Sequence, residues 1–169
     1  MALCRLYIEN QDNFMKYLIP IMFIAASQLA GVIGSFFTVT SVDSWYASIN
    51  KPFFNPPGWI FGPVWITLYT LMGIAAYLVW LKWGDSSLAR GALIFFFVHL
   101  AFNSLWSILF FGLQNPGWAL IEIIFLWLMI LSLVVLFWQI DKRASYLLIP
   151  YLLWVSFASI LNFAIWRLN

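Results

Sequence analysis

Polar and aromatic side chains at helical spacing inside apolar runs are the first residues of this sequence that could do chemistry. His99 and Asn103 lie four positions apart, so on a helix they share one face. Two further stripes have helical spacing: Trp65, Tyr69 and Met72, and Trp154, Ala158 and Asn162. Indole, phenol and amide groups facing one cavity would stack on a flat aromatic ligand and orient its polar groups. The same stripes are also typical of a packed core, and Asn103 could bond to another helix instead.

The sequence does not contain the residue patterns expected for nucleophilic or acid–base catalysis, for a metal site or for nucleic-acid binding. The sequence has no nucleophile–base pair and no paired carboxylates. The single cysteine, Cys4, excludes an intramolecular disulfide and a cysteine zinc cluster, and one histidine with few carboxylates does not favour a metal site. A net charge of +2, without a basic run or a phosphate-binding glycine pattern, gives no reason to expect a nucleic-acid partner.

The composition predicts that the elements carrying these residues lie in lipid. The chain is 64% hydrophobic and 8% charged, whereas soluble domains carry roughly 25% charged residues. In lipid, the backbone must satisfy its own hydrogen bonds, as helices or as a closed barrel. The apolar runs are continuous and do not alternate with period two, which favours helices. We therefore predict an all-α integral membrane protein that forms a bundle of five transmembrane helices.

Five apolar runs are long enough to cross a bilayer, for which a helix of about 20 residues suffices. The predicted spans are residues 17–39, 56–83, 88–111, 117–140 and 144–168. The connectors after the second span are very short, which predicts one domain, residues 17–169, whose consecutive helices are antiparallel neighbours. Residues 1–16 are predicted to form a polar tail. Glu9 and Asp12 precede the first apolar run and no cleavage site follows it, so the first span is predicted to be retained.

The segment that joins the first two spans, residues 40–55, opens a stretch rich in proline and tryptophan. A plain connector needs no such aromatic mass, so we predict that it forms a structured lid over a cavity. Asn55 is predicted to cap the next helix, with Pro56 or Pro57 at the first helical position, where the missing N–H costs nothing. Pro63 is predicted to kink the first turns of that helix.

Small residues and one carboxylate inside the spans allow more than one interpretation. Ala30, Gly31 and Gly34 in the first span could let helices approach closely, or could leave room beside a bound ligand. Glu122 lies about one turn into the fourth span, and we expect it to reach the interface or to bond to the neighbouring loop. The charged sequence 141–143 has no function that the sequence explains.

Lysine and arginine residues are distributed unevenly between the two sides of the predicted bundle. The N-terminal side carries six, and the other side two: Arg5, Lys16, Lys82, Arg90, Lys142 and Arg143 against Lys51 and Arg167. In a plasma membrane this bias places the N-terminus in the cytoplasm and the 40–55 segment outside. The rule need not hold in a mitochondrial or bacterial outer membrane.

Three long stretches of the sequence resemble one known family. They read WYASINKPFFNPPGWIFGPVWITLYTLMG, LAFNSLWSILFFGLQNPGWALIE and LLIPYLLWVSFASILNFAIWRLN. They are similar to the signature segments of the translocator protein family, also called the peripheral benzodiazepine receptor and, in bacteria, the tryptophan-rich sensory protein. The resemblance covers nearly everything from about Gly31 to Asn169, in the same order and spacing.

The resemblance implies a membrane receptor or sensor, often a homodimer, whose first loop closes a ligand pocket. The implied ligands are tetrapyrroles such as protoporphyrin IX and haem, isoquinoline carboxamide and benzodiazepine-type compounds, and cholesterol in animal members. Porphyrin or haem would be a ligand and not a required cofactor, and the role would lie in tetrapyrrole or stress regulation.

Two other functions stay open at this point. The first is an enzyme that degrades protoporphyrin IX with light and oxygen, in which Trp45 and Trp154 would take part in redox chemistry. The second is a transporter of tetrapyrrole or sterol, for which the sequence shows no inverted repeat, no pair of broken helices and no coupling-ion site.

The resemblance also implies the residues of the site. Trp65 and Asn103 match positions that hydrogen-bond the carbonyl of the ligand. The remaining matches line the pocket or its entrance: Trp45, Tyr46, Trp154, Ala158, Pro56 and Pro57. His99 joins the predicted set because it shares a helix face with Asn103. The sterol motif of animal members keeps Leu161 and Arg167, but Phe163 stands in place of its tyrosine, which makes the chain more similar to bacterial members.

Overall fold

The structure of this chain, a computed structural model, describes residues 2–169, with side chains from Tyr17 onward. The helices of this part of the chain are α1 (Ala2–Val42), α2 (Trp45–Ser48), α3 (Gly58–Trp80), α4 (Ser87–Ser107) with a π-helical turn (Ile108–Gly112), α5 (Pro116–Ile140) and α6 (Lys142–Leu168). Five of them are long and apolar enough to cross a membrane, which confirms the prediction of an all-α five-helix membrane bundle. The predicted polar tail, residues 1–16, lies outside the described side chains.

The five long helices form a closed ring whose order differs from their order in the chain. The ring runs α1, α3, α6, α5, α4 and back to α1. Three consecutive pairs pack extensively, as predicted, whereas α3 and α4 share a smaller contact, because α1 packs against both of them. The short connector brings the ends of α3 and α4 together and leaves most of their faces free to pack on other helices.

Small residues on α1 explain how this helix fits between α3 and α4. Gly31 lies against the ring of Tyr69 on α3, and Gly34 lies against Ser107 on α4. A methyl group added at either glycine would overlap that neighbour. In lipid, where apolar surface alone does not drive helices together, such close approach supplies the packing that does.

The start of α3 differs from the prediction. Pro57 occupies the N-cap position and the helix begins at Gly58, so the prediction that Asn55 caps a helix starting at Pro56 or Pro57 is wrong. The backbone of Pro57 is extended, with ψ of 137°. Asn55 is occupied elsewhere, because its side-chain oxygen accepts a hydrogen bond of 2.8 Å from the Tyr46 hydroxyl.

The connector before α6 is a helix cap, which explains the charged sequence 141–143. The Asp141 carboxylate accepts a 2.8 Å hydrogen bond from the backbone N–H of Arg143. It also pairs with the Arg143 guanidinium at 2.8 Å. This side-chain hydrogen bond to Arg143 holds the pKa of the Asp141 carboxyl below its usual range. Ser86 and Asn115 cap α4 and α5 in the same manner.

The interior of the bundle divides into two halves along the helix axes. The half on the side of the α3–α4 connector, here called the packed half, is filled by side chains that are all fully buried: Val79, Ala89, Phe96, Ile130, Phe137 and Ala144. The other half lies beneath the segment between α1 and α3, and it contains a cavity lined by all five long helices. We call it the cavity half.

Candidate functional site

A cavity of about 460 Å³ lies inside the cavity half. Its volume falls in the range of about 300–1,000 Å³ that is typical of small-molecule sites. Aromatic side chains form one continuous part of its lining, here called the aromatic wall: Tyr46, Phe61, Trp65, Trp106, Phe110 and Trp154. Glycines of α1 and α3 form a thinner part of the wall: Gly31, Gly34, Gly58 and Gly62.

Ring–ring contacts hold the aromatic wall in place. Trp65 stacks on Tyr69 with ring centroids 5.4 Å apart and planes 27° from parallel. Trp154 meets Phe61 edge-on at 5.9 Å. Such pairs stabilise each other beyond their buried area, so the cavity presents flat apolar faces whose orientation is set before any ligand arrives.

A chain of four polar side chains runs from the cavity wall into the bundle. The Tyr69 hydroxyl donates to Asn103 Oδ1, Asn103 Nδ2 donates to the Tyr151 hydroxyl at 2.8 Å, and Tyr151 Oη lies 2.9 Å from His99 Nε2. Tyr69 and Asn103 line the cavity, whereas Tyr151 and His99 lie behind them. We call these four residues the buried polar chain.

Two cavity-lining indoles differ in how their N–H groups are used. Trp106 donates to Asn162 Oδ1 at 3.0 Å, and Asn162 in turn donates to the Pro116 carbonyl at 2.8 Å. These bonds tie α4, α5 and α6 together at the cavity. Trp65 also lines the cavity, and its indole N–H has no hydrogen-bond partner among the described residues. That N–H therefore remains available to a ligand.

The segment between α1 and α3, residues 43–57, covers the cavity, and we call it the lid segment. Its Tyr46 lines the cavity and donates to Asn55 Oδ1 at 2.8 Å. Burial raises the pKa of the Tyr46 phenol above its ordinary value, by more than the hydrogen bond to Asn55 lowers it. The phenol thus keeps its proton as a donor. Lys51 Nζ lies 4.9 Å from the centroid of the Tyr46 ring.

The lid segment is fastened to the end of α6 by a reciprocal pair of asparagines. The backbone N–H of Asn50 donates to Asn169 Oδ1 at 2.9 Å, and Asn169 Nδ2 donates to the Asn50 carbonyl at 3.0 Å. Asn50 Nδ2 adds a 3.3 Å bond to the Leu168 carbonyl. This contact could not be predicted from the sequence, because no local spacing relates residues 119 positions apart.

The cavity brings together most of the predicted ligand-binding residues: Tyr46, Pro56, Trp65, Asn103, Trp154 and Ala158. Three others do not line it. Trp45 packs edge-on against Phe110 at 5.6 Å, Pro57 caps α3, and His99 is fully buried behind the wall. Any part that these three play in ligand binding is therefore indirect in this arrangement.

The remnant of the sterol motif does not form one surface with the cavity. Leu161 lines the cavity, but Phe163 is half-exposed on the outside of α6, where its ring lies 6.0 Å from that of Trp166. Arg167 is exposed at the end of the same helix. A sterol that contacted Phe163 and Arg167 would lie on the outer surface of the bundle.

Glu122 lies inside the bundle, and the prediction that it reaches the interface or bonds to a loop is wrong. It is 6% exposed, and neither carboxylate oxygen has a hydrogen-bond partner among the described residues. Ile123 and Leu126 on the same side of α5 line the cavity. The helical phase of α5, and not distance from the helix end, decides where this side chain points.

Sequence reasoning also missed Phe61, which forms part of the aromatic wall. A signal was present, because Phe61, Trp65 and Tyr69 repeat every four residues. Within residues 17–169, no three His, Cys, Asp or Glu side chains come close enough together to hold a metal ion.

Comparison with known proteins gives consistent matches over nearly the whole chain. The family model described as the TspO/MBR family matches residues 23–167. The chain is 48% identical over 159 residues to the tryptophan-rich protein TspO of Archaeoglobus fulgidus, a match that covers 93% of this chain and 99% of that protein. It is 38% identical over 153 residues to the translocator protein of Homo sapiens, covering 89% and 90% of the two chains. It is 37% identical over 155 residues to the tryptophan-rich sensory protein of Cereibacter sphaeroides, covering 92% and 94%.

Proposed function

This chain belongs to the TspO/MBR family of multi-pass membrane proteins, and we propose that it is a receptor or sensor that binds tetrapyrroles in its cavity without transforming them. Isoquinoline carboxamide and benzodiazepine-type compounds would occupy the same cavity. The observation that carries the proposal is a cavity beneath the lid segment that combines the aromatic wall with hydrogen-bond donors on two lining residues, Trp65 and Asn103. One relative bears the name tryptophan-rich sensory protein, which agrees with a sensing role.

Stacking on the aromatic wall would supply most of the affinity. Trp65 and Trp154 present flat faces to the cavity, and burial of a few hundred Å² of a ligand ring at about 25 cal/mol per Å² is worth several kcal/mol. Part of that gain is offset by the loss of translational and rotational freedom on binding. Affinity would therefore depend on the size and flatness of the ring.

Hydrogen bonds would orient the ligand. Asn103 Nδ2 gives one of its hydrogens to Tyr151, and the second is free on a residue that lines the cavity. Together with the Trp65 indole N–H, it matches a carbonyl or carboxylate oxygen. Tetrapyrroles with propionate groups and amide-bearing synthetic ligands both carry such an acceptor.

The setting of this function is also part of the proposal. We expect a homodimer in a lipid bilayer, with no required cofactor, and a role in tetrapyrrole or stress regulation. In a plasma membrane the lid segment would face outward. Phe163 lacks the hydroxyl of the animal sterol motif and lies on the outer surface of α6, so a sterol would be a secondary ligand at most.

The first experiment tests the pocket. We expect Trp65→Ala and Asn103→Ala each to weaken binding of an isoquinoline carboxamide about tenfold or more, since a hydrogen bond together with lost stacking is worth about 1.5 kcal/mol. Trp118→Ala removes an indole that is 62% exposed on the outside of the bundle, and it serves as the matched control. Unchanged affinity in both cavity variants would contradict the assignment.

The second experiment separates binding from catalysis. Purified protein is mixed with protoporphyrin IX in the dark and then illuminated in air. We expect binding in both conditions and no product beyond about one equivalent. Turnover over many equivalents that disappears in Trp154→Phe, and persists in Trp45→Phe, would show an enzyme that uses the cavity instead, because only Trp154 of this pair lines it.

A further inference from the structure

The buried polar chain ends at His99, a residue that no ligand in the cavity would touch. His99 is fully buried, and its Nε2 lies 2.9 Å from the Tyr151 hydroxyl oxygen. Its other ring nitrogen, Nδ1, has no hydrogen-bond partner among the described residues. The contact with Tyr151 is the one side-chain hydrogen bond of this ring, and the backbone of Phe96 is a second polar group beside it. Polar groups at membrane depth commonly have a functional role.

The direction of each hydrogen bond in the chain follows from the one before it. Asn103 Oδ1 accepts from Tyr69, which leaves the amide nitrogen to face Tyr151. An amide nitrogen can only donate, so Tyr151 Oη accepts from Asn103. The hydroxyl hydrogen of Tyr151 is then left for another acceptor, and His99 Nε2 is within reach at 2.9 Å. An imidazole that accepts at Nε2 carries its hydrogen on Nδ1.

We propose that His99 is a positioning residue whose accepting Nε2 fixes the Asn103 amide, through Tyr151, so that a free N–H faces the cavity and selects ligands bearing a hydrogen-bond acceptor. The ligand class is a flat aromatic molecule with a carbonyl or carboxylate oxygen. The inference rests on the proposed ligand-binding function of the same cavity. It adds the residue that determines whether Asn103 presents a hydrogen-bond donor or an acceptor to the ligand.

The opposite arrangement of the ring shows why His99 matters. If Nε2 carried the hydrogen, Tyr151 would accept from it and would donate its own hydrogen toward Asn103. The amide would then have to turn its oxygen to Tyr151 and its nitrogen to Tyr69. The free N–H would leave its present position, and every hydrogen bond in the chain would reverse, because the amide nitrogen can only donate and the amide oxygen can only accept.

The first test needs no variant and no ligand. His99 is the single histidine of the chain, so nitrogen-15 labelling of histidine gives an unambiguous NMR signal from tag-free protein in lipid nanodiscs. We expect Nε2 to appear as an unprotonated nitrogen that accepts a hydrogen bond and Nδ1 to appear as an N–H. The reverse assignment would overturn the proposal, whatever the protein binds.

The second test measures how substitution of His99 changes ligand binding. His99→Leu removes the acceptor, whereas His99→Gln retains one in its amide oxygen. We expect His99→Leu to weaken isoquinoline carboxamide binding about tenfold and to shift the infrared carbonyl stretch of the bound ligand toward its unbonded frequency, and His99→Gln to restore both in part. That affinity ratio corresponds to about 1.4 kcal/mol.

The control for this test is Ser156→Ala, which removes the 2.8 Å hydrogen bond between Trp127 and Ser156 elsewhere in the bundle and should move neither quantity. A carbonyl frequency that is the same in wild type and His99→Leu would overturn the proposal. So would equal losses of affinity in the leucine and glutamine variants. A wild-type protein that does not bind the compound would refute the proposed function, while the nitrogen-15 measurement would still decide the direction of the polar chain.

Discussion

The packed half and the cavity half are built from the same five helices, but side chains fill the first and leave a cavity in the second. In the packed half, alanines let helices approach, and Ala75, Ala76 and Ala89 are fully buried. In the cavity half, large rings meet one another across the gap, as Trp154 and Phe61 do at 5.9 Å. Small residues bring helices together in both halves, as Gly31 and Gly34 do beside the cavity, but in the cavity half aromatic rings also border unfilled space.

The comparison also separates stability from binding. The packed half buries its side chains fully, so each of them contributes through close packing. The cavity half leaves about 460 Å³ unfilled, and it compensates with ring contacts, the buried polar chain and the fastened lid segment. We therefore expect substitutions in the packed half to reduce stability first, and substitutions in the cavity half to change ligand binding first.

The largest effect should follow from opening the packed half. Phe137 is fully buried, and Phe137→Ala should lower the free energy of unfolding by about 3–5 kcal/mol, because it leaves a void that the helices cannot close. Unfolding by denaturing detergent in mixed micelles measures this change. Trp154→Ala, at the already open cavity, should cost markedly less. Equal losses in the two variants would remove the distinction between the halves.

The next effect should follow from filling the cavity half. Ala158 lines the cavity, and Ala158→Phe places a ring where the ligand would lie. We expect binding of protoporphyrin IX and of isoquinoline carboxamide to fall at least about 100-fold, or about 2.7 kcal/mol. The thermal midpoint should stay the same or rise, because a filled void adds packing. Binding that survives would show that the ligand site lies elsewhere.

A smaller effect should follow from unfastening the lid segment. Asn50→Ala removes the side-chain bond to the Leu168 carbonyl, and Asn169→Ala removes both side-chain bonds to the Asn50 backbone. A net hydrogen bond is worth about 1 kcal/mol, so Asn50→Ala should release ligand about fivefold faster in a dissociation assay, and Asn169→Ala, which loses two bonds, up to about 30-fold faster. The double variant should be little faster than Asn169→Ala alone, because the two residues act as one contact. Fully additive rates would contradict the reciprocal pairing.

The smallest effect should come from the cap on the far side of the packed half. Asp141→Ala should lower the free energy of unfolding by about 1 kcal/mol at neutral pH, with ligand affinity unchanged. Arg143 holds the pKa of Asp141 below its unfolded value, so this stabilisation is present above about pH 4 and is lost as the pH falls through the folded pKa. The difference between wild type and variant should shrink on acidification. Asp141→Asn, which retains an acceptor for the N-cap bond, serves as the control.

The presence of the five long helices could be predicted from the sequence, but the residues at which they begin and end were harder to predict. Long apolar runs with few charges form helices in lipid, because a helix satisfies its own backbone hydrogen bonds. All five predicted spans are present as helices. The start of α3 was mispredicted because Asn55 has a competing partner in Tyr46. A capping side chain can form one of several competing hydrogen bonds, and sequence spacing does not show which of them forms.

The helix faces that carry the candidate site could be predicted from the sequence. Which residues on those faces line the cavity could not. The spacing of Trp65, Asn103 and Trp154 indicated inward faces, and all three line the cavity. His99 shares the face of Asn103 but lies one turn deeper, behind the wall. Helical periodicity gives the direction of a side chain and not how far the neighbouring helix stands from it, so it cannot distinguish a cavity wall from a packed core.

The sequence by itself determined the solvent, the helical class, the five spans and the family, because composition, run length and long motifs carry these without any knowledge of contacts. Only the tertiary structure decided the ring order, with α1 between α3 and α4. It also decided the inward position of Glu122, the hydrogen bonds between Asn50 and Asn169, and the contact of Asn103 with Tyr151. Each of these depends on which faces meet across distant parts of the chain, and side-chain size and hydrogen-bond competition settle that only once the helices are packed.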